Sequence, residues 1–138
     1  MSLHQKLEIK CPQCGNEQDV SIWQSINATV DPEARQELLD GRVNLFHCSK
    51  CAYEAAIVTD LLYHDMKRQF WVRYHPFESL NKDGFFDYFT SQGEPKPDND
   101  VEANAYIFQR PHIVFDMGEL VRYIIFRERL FEHNNQWC

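Results

Sequence analysis

The chain has 138 residues, 43% of them apolar and 14% aromatic, and a net charge of −7. That length fits one domain, and no apolar run approaches the ~20 residues of a membrane span. The acidic balance disfavours general nucleic-acid binding, which needs basic faces to displace counterions from phosphates. Acidity concentrates between His75 and Ala105, where Glu78, Asp83, Asp87, Glu94, Asp98, Asp100 and Glu102 face only Lys82 and Lys96. A local basic patch is confined to Lys67, Arg68 and Arg73.

In chain order, Leu7 to Lys10 reads as a short strand running into Cys11-Pro12-Gln13-Cys14, and Gln18 to Trp23 as its antiparallel return, with Val20 and Ile22 on one side. Asp31-Pro32 is a helix start, an N-cap followed by proline at the first helical position. Ala34, Leu38 and Leu39 give that helix a modest apolar stripe, and Gly41 ends it. Val43 to His47 is a strand entering Cys48-Ser49-Lys50-Cys51; Tyr53 to Val58 leaves it, extended or followed by Leu61 to Tyr63. A turn over residues 65–68, pairing His64 with Gln69, returns the chain through Gln69 to Tyr74.

The second half opens at His75-Pro76. Lys82-Asp83-Gly84 is a turn before the ring-rich Phe85-Phe86-Asp87-Tyr88-Phe89. Residues 92–103 read as a mobile loop and Tyr106 to Phe108 as a strand. The last element is a helix. Asp116 and Glu119 have capping-box spacing, and Met117, Leu120, Val121, Ile124 and Phe131 form its apolar stripe. Tyr123, Phe126 and Leu130 fall on roughly the opposite face. The ring-rich segment 85–89 is expected to cover that face, with a partner or a symmetry mate as the alternative.

The two C-x2-C pairs carry the chemistry. A C-x2-C turn aims two thiolates at one point, and zinc takes four such ligands in a tetrahedron. Cys11, Cys14, Cys48 and Cys51 are therefore predicted to hold one structural Zn2+ with no open position. Pro12 stiffens the first turn, and Gly15 supplies positive φ where Ala52 stands after the second. The 33 residues between Cys14 and Cys48 exceed ordinary zinc-ribbon spacing, so something folded must fill the gap. A thioredoxin-like site needs only one such pair, at a helix start. No apolar core of signal-peptide length follows Met1, so a reducing cytoplasm is the expected compartment. Cys138 reads as a bystander.

Together, Cys-Pro-x-Cys-Gly at 11–15, Trp23 with Ser25-Ile26-Asn27, the Asp31-Pro32 helix to Gly41, Leu45-Phe46-x-Cys48 with Cys51, and Tyr63-His64-Asp65 resemble the CpXC family of bacterial and archaeal proteins. The resemblance is closest from Leu7 to Pro76. It implies the cysteine metal site and the fold, and supplies no reaction.

No P-loop, G-x-G-x-x-G, H-E-x-x-H or G-x-S-x-G is present. The remaining candidates are His64, Asp65, His75, His112 and Asp116, expected to be surface or hydrogen-bonding residues. Asp65 should cap its own turn and Asp116 the last helix. His47 is expected to donate a hydrogen bond at the edge of the zinc site. The reading is a single α+β domain: an elaborated zinc-ribbon-like antiparallel sheet with an inserted short helix and a C-terminal helix. Residues 1–76 form its zinc-ribbon half and residues 77–138 its aromatic-rich extension. The expected role is a non-catalytic zinc-stabilised module that binds a protein partner, or a second copy through the last helix. A thiol-redox or metal-sensing protein is the alternative, and a metal-dependent hydrolase or nuclease the third.

Overall fold

A computed structural model describes residues 2–93 and 112–135. Strands β1 (Leu3–Lys10) and β2 (Glu17–Asn27) form a long hairpin, followed by helix α1 (Pro32–Leu39). β3 (Leu45–His47) and β4 (Glu54–Ala56) form a second hairpin; β5 (Leu61–Asp65) and β6 (Phe70–Tyr74) form a third. Two 3₁₀ helices, Phe77–Asn81 and Phe85–Tyr88, precede β7 (His112–Val114) and helix α2 (Met117–Asn135). The expected strand at 106–108, most of the loop at 92–103 and Cys138 lie outside the described residues.

The α+β class holds, but the main sheet is not purely antiparallel. Its order is β1-β2-β5-β6-β7, while β3 and β4 form a separate two-stranded sheet. β1–β2 and β5–β6 are antiparallel; β2–β5 and β6–β7 are parallel. The segment between β2 and β5 holds α1 and the small sheet, long enough to serve as the crossover that parallel pairing needs. β4 stops at Ala56 and β5 belongs to the other sheet, so Leu61 does not extend the strand leaving Cys51. The β5–β6 turn also differs from expectation. His64 lies opposite Trp71 and Asp65 opposite Phe70, which makes Met66 to Gln69 the turn. Gln69 takes φ +56° to close it.

Both helices join one core. Ile26, Tyr63 and Val72 lie in register on adjacent strands, and Leu38 of α1 and Leu120 and Ile124 of α2 bury against them. α1 starts at Pro32, as the proline predicts, although the Asp31 side chain makes no capping bond. It ends in a Schellman turn: Gly41 N–H donates to Leu38 O, Arg42 N–H donates to Glu37 O, and Gly41 takes φ +75°. Asp116 caps α2 as read, while the return bond to Glu119 comes from the residue before the N-cap. Asp116 Oδ1 accepts from the N–H groups of Gly118 and Glu119, and Glu119 Oε2 accepts from Phe115 N–H.

The ring-rich segment does not cover the second face of α2. Phe85 packs on His75, Phe89 and Phe115 instead. Tyr123 is partly covered by Phe70 and by His112, which stacks on it at 4.0 Å with the planes 4° apart. Phe126 and Leu130 remain exposed. The apolar stripe itself continues to an acid: Leu120, Ile124 and Glu128 are the buried side chains of α2.

Candidate metal centre

The first cysteine pair turns the chain between β1 and β2, the second between β3 and β4. The two turns share one hydrogen-bond pattern. Cys11 N–H donates to Asn16 O at 2.8 Å and Gly15 N–H to Cys11 O at 2.9 Å. At the matching places, Cys48 N–H donates to Tyr53 O at 2.8 Å and Ala52 N–H to Cys48 O at 3.2 Å. Gly15 has φ +78° and Ala52 φ +64°. The second knuckle therefore adopts the same left-handed step without glycine, at a cost of about 1–2 kcal/mol for an L-residue there.

These turns bring all four sulfurs within 4.8 Å of one another. Cys11 Sγ lies 3.6 Å from Cys51 Sγ, and Cys14 Sγ lies 3.6 Å from Cys48 Sγ. A tetrahedral zinc with bonds of ~2.3 Å separates its sulfurs by roughly 3.8 Å, so the cluster has the dimensions of such a shell. Cys11 and Cys48 are buried, Cys51 half-buried and Cys14 exposed. Phe46 and Val20 seal the buried side, with Ile9, Tyr53 and Ile57 packed around them.

A polar latch joins the knuckles. Gln18 on β2 donates through Nε2 to His47 O at 2.7 Å, and its Oε1 accepts from Ser49 N–H at 2.9 Å. Asn16 Nδ2 reaches Gln18 Oε1, Ser49 Oγ and, at 4.0 Å, Cys48 Sγ. Neither residue carried a motif that singled it out; the signal lies only in their nearness to the first knuckle. His47 was expected to serve the cluster. It instead pairs its Nδ1 with Glu54 Oε1 at 2.7 Å, directly across the β3–β4 ladder and exposed.

The thiols do not share their charge evenly. Burial pushes Cys48 up, but the backbone N–H groups of Cys51 and Lys50 outweigh it and bring the thiol down to about 6. Cys11 is lowered in the same way, with burial opposed by the N–H groups of Cys14 and Gln13. The Tyr53 N–H favours a thiolate at Cys51, yet burial and the neighbouring sulfurs of Cys14, Cys48 and Cys11 push it up to about 12. Four sulfurs this close cannot all carry charge unless a cation sits among them. The donor set is soft, complete and deprotonatable, and it fits a tetrahedral metal ion.

The other candidates do not converge. Among the described residues the four cysteines are the one group of three or more metal-ligating side chains that could hold an ion. Asp65 is buried and accepts from Arg68, backbone N–H at Oδ1 and guanidinium at Oδ2, both at 2.9 Å. That engages Arg68 inside the fold and removes it from the basic patch; its guanidinium also lies 5.7 Å from the Phe131 ring centre. His64 is half-buried on β5. His75 is buried among Phe85, Phe89 and Phe115, with Nδ1 3.5 Å from Asp60 Oδ1. An apolar groove of about 450 Å³ is lined by Leu38, Val43, Ile57, Met117 and Val121, and a polar one of about 270 Å³ by Gln18, Trp23, Glu37 and Arg42. His64, Asp65, His75 and His112 line neither.

The fold and site thus define an α+β protein built around a sheet, a C-terminal helix and a four-cysteine cluster. The family model described as CpXC protein matches residues 9–132, and the chain belongs to that family. The match runs well past Pro76, so the second half belongs to the family pattern as well as the first. No curated protein and no solved structure matches the chain. No helix among the described residues is long and apolar enough to cross a membrane.

Proposed function

We propose that Cys11, Cys14, Cys48 and Cys51 bind one Zn2+ in a closed structural site, and that the protein is a non-catalytic, zinc-ribbon-like module that binds a protein partner. The observation that carries this reading is the convergence of two equivalently hydrogen-bonded knuckles on one point, with all four sulfurs used. A shell filled by protein ligands leaves no position for water or substrate, which is the difference between structural and catalytic zinc. The ion ties the β1–β2 hairpin to the small β3–β4 sheet, beside the apolar contact that Val20 and Ile9 make with Phe46, Tyr53 and Ile57. The partner surface we assign is the exposed side of α2, where Phe126 and Leu130 are 56% and 40% accessible.

Two sulfur contacts of 3.6 Å run between the knuckles, Cys11 to Cys51 and Cys14 to Cys48, so the four thiols form one cluster and not two separate pairs. A dithiol redox site of the thioredoxin kind would pair within one motif. The deciding experiment is metal analysis of protein purified without added metal, with thiols counted before and after chelation. One zinc per chain, with thiols reactive only after chelation, supports the proposal. Absence of metal, with four reactive thiols or two disulfides, refutes it. For the partner surface, Phe126→Ser with Leu130→Ser should abolish capture of the partner at unchanged zinc content.

A further inference from the structure

Among the described residues β1 stands at the edge of the main sheet and is paired on one side only, with β2. It is eight residues long and exposed along nearly its whole length. A long unpaired edge is a template for another strand. Leu7 and the neighbouring Gln5 and Ile9 share the face that carries Val20 and Ile22 of β2, while His4, Lys6, Glu8 and Lys10 share the other. Leu7 lies opposite buried Val20 yet is itself 42% accessible, so an apolar stripe reaches the edge and stops uncovered.

The charges on this edge are self-complementary in one register. A two-fold axis centred on Leu7 sets each Lys6 opposite the partner copy's Glu8, His4 opposite Lys10, and Leu7 on Leu7. Centring on Lys6 or on Glu8 places like charges on each other. Centring on Gln5 makes no opposite-charge pair. Centring on Ile9 pairs Glu8 with Lys10 but runs the ladder off the strand into the knuckle at Cys11. The Leu7 register uses His4 to Lys10, which is the stretch where the β1–β2 pairing is regular; the ladder shifts only between Leu3 and His4. Glu8 gains most. Within one chain it faces Asp19 and lies beside Glu17, and Glu17 first and Asp19 last among the causes hold its carboxyl above the usual range. A lysine arriving from the open side relieves that crowding.

We infer that β1 is the seam of a homodimer, in which two copies pair antiparallel through His4–Lys10 about a two-fold at Leu7 and join their main sheets into one. The interface is isologous, as closed dimers require. The Val20–Leu7 stripe continues across the seam into Leu7 and Val20 of the second copy, and two Lys6–Glu8 pairs set the register on the opposite face.

The test is analytical ultracentrifugation of the full metal-loaded chain with a charge-exchange set. The native chain is expected to be a dimer. Lys6→Glu and Glu8→Lys each turn both attractive pairs repulsive and should weaken dimerisation roughly ten- to hundredfold. Mixed in equal amounts, the two variants restore both opposite-charge pairs and should form a heterodimer. Neither substitution is buried, and circular dichroism with zinc content checks that each variant folds. A native chain that stays monomeric at every concentration overturns the inference. A dimer indifferent to both reversals does so too, as does a mixture that fails to associate.

Discussion

Arg35 of α1 and Glu128 of α2 form a two-pronged ion pair across 93 residues of sequence. Arg35 Nη2 and Nε reach both carboxylate oxygens at 2.7–3.1 Å. The Glu128 side chain is 9% accessible and that of Arg35 29%. The contact anchors the inserted helix to the C-terminal helix above Tyr63, whose hydroxyl is buried and whose ionisation is disfavoured first by burial and then by the Glu128 charge.

This asymmetry of burial sets the order of two substitutions. Arg35→Ala strands a buried carboxylate and should cost about 3 kcal/mol; Glu128→Ala strands a guanidinium that still reaches water and should cost less. Replacing both by Met and Leu should recover most of the loss, because no unpaired charge remains. Urea unfolding of the three variants checks the order, and equal losses for both single variants would contradict it.

The proposed zinc site has a directional consequence. Chelation, or serine at any one of Cys11, Cys14, Cys48 and Cys51, should release the ion and lower the thermal midpoint, with the knuckle ends of β2 and β3 losing amide protection first. Full thermal stability and stoichiometric zinc in all four single variants would show that the cysteines do not hold the fold.

The knuckle backbones predict opposite signs for two small changes. Ala52→Gly removes the strain of a left-handed alanine and should stabilise by about 1 kcal/mol. Gly15→Ala should destabilise by a similar amount, and for the backbone reason alone, since an added Cβ meets only Lys10 Cε at 3.7 Å. Thermal unfolding of the two variants, each in the same metal-loaded state as the native chain, reads both.

His75 and His64 predict acid sensitivity. Burial is the first cause that lowers each below the ordinary histidine value. The unfolded chain then binds protons that the folded one does not. The stability they contribute is complete above the unfolded value of about pH 6.5 and is lost as pH falls from there through the lower folded-state pKa values. His75→Phe should flatten part of this decline, filling a space already walled by Phe85, Phe89 and Phe115. An unchanged pH profile of stability from pH 8 to about pH 5 would disprove the assignment.

What could be read from sequence was local. The two C-x2-C turns, the Pro32 start and Gly41 stop of α1, the Asp65 turn bond and the Asp116–Glu119 cap each depend on residues within about five positions of one another, where backbone geometry and side-chain chemistry suffice. Tertiary structure decided what chain neighbours cannot encode. It put the two knuckles in different sheets, paired β2 with β5 in parallel, and gave Trp23 the Asn44 side chain as a hydrogen-bond partner for both its N–H and its C=O. It also turned Glu128, polar in any periodicity count, into a buried residue because Arg35 lies opposite it. An acid in an apolar stripe reads as a surface position until its partner is known, and that partner is brought there only by the packing of both helices on one sheet.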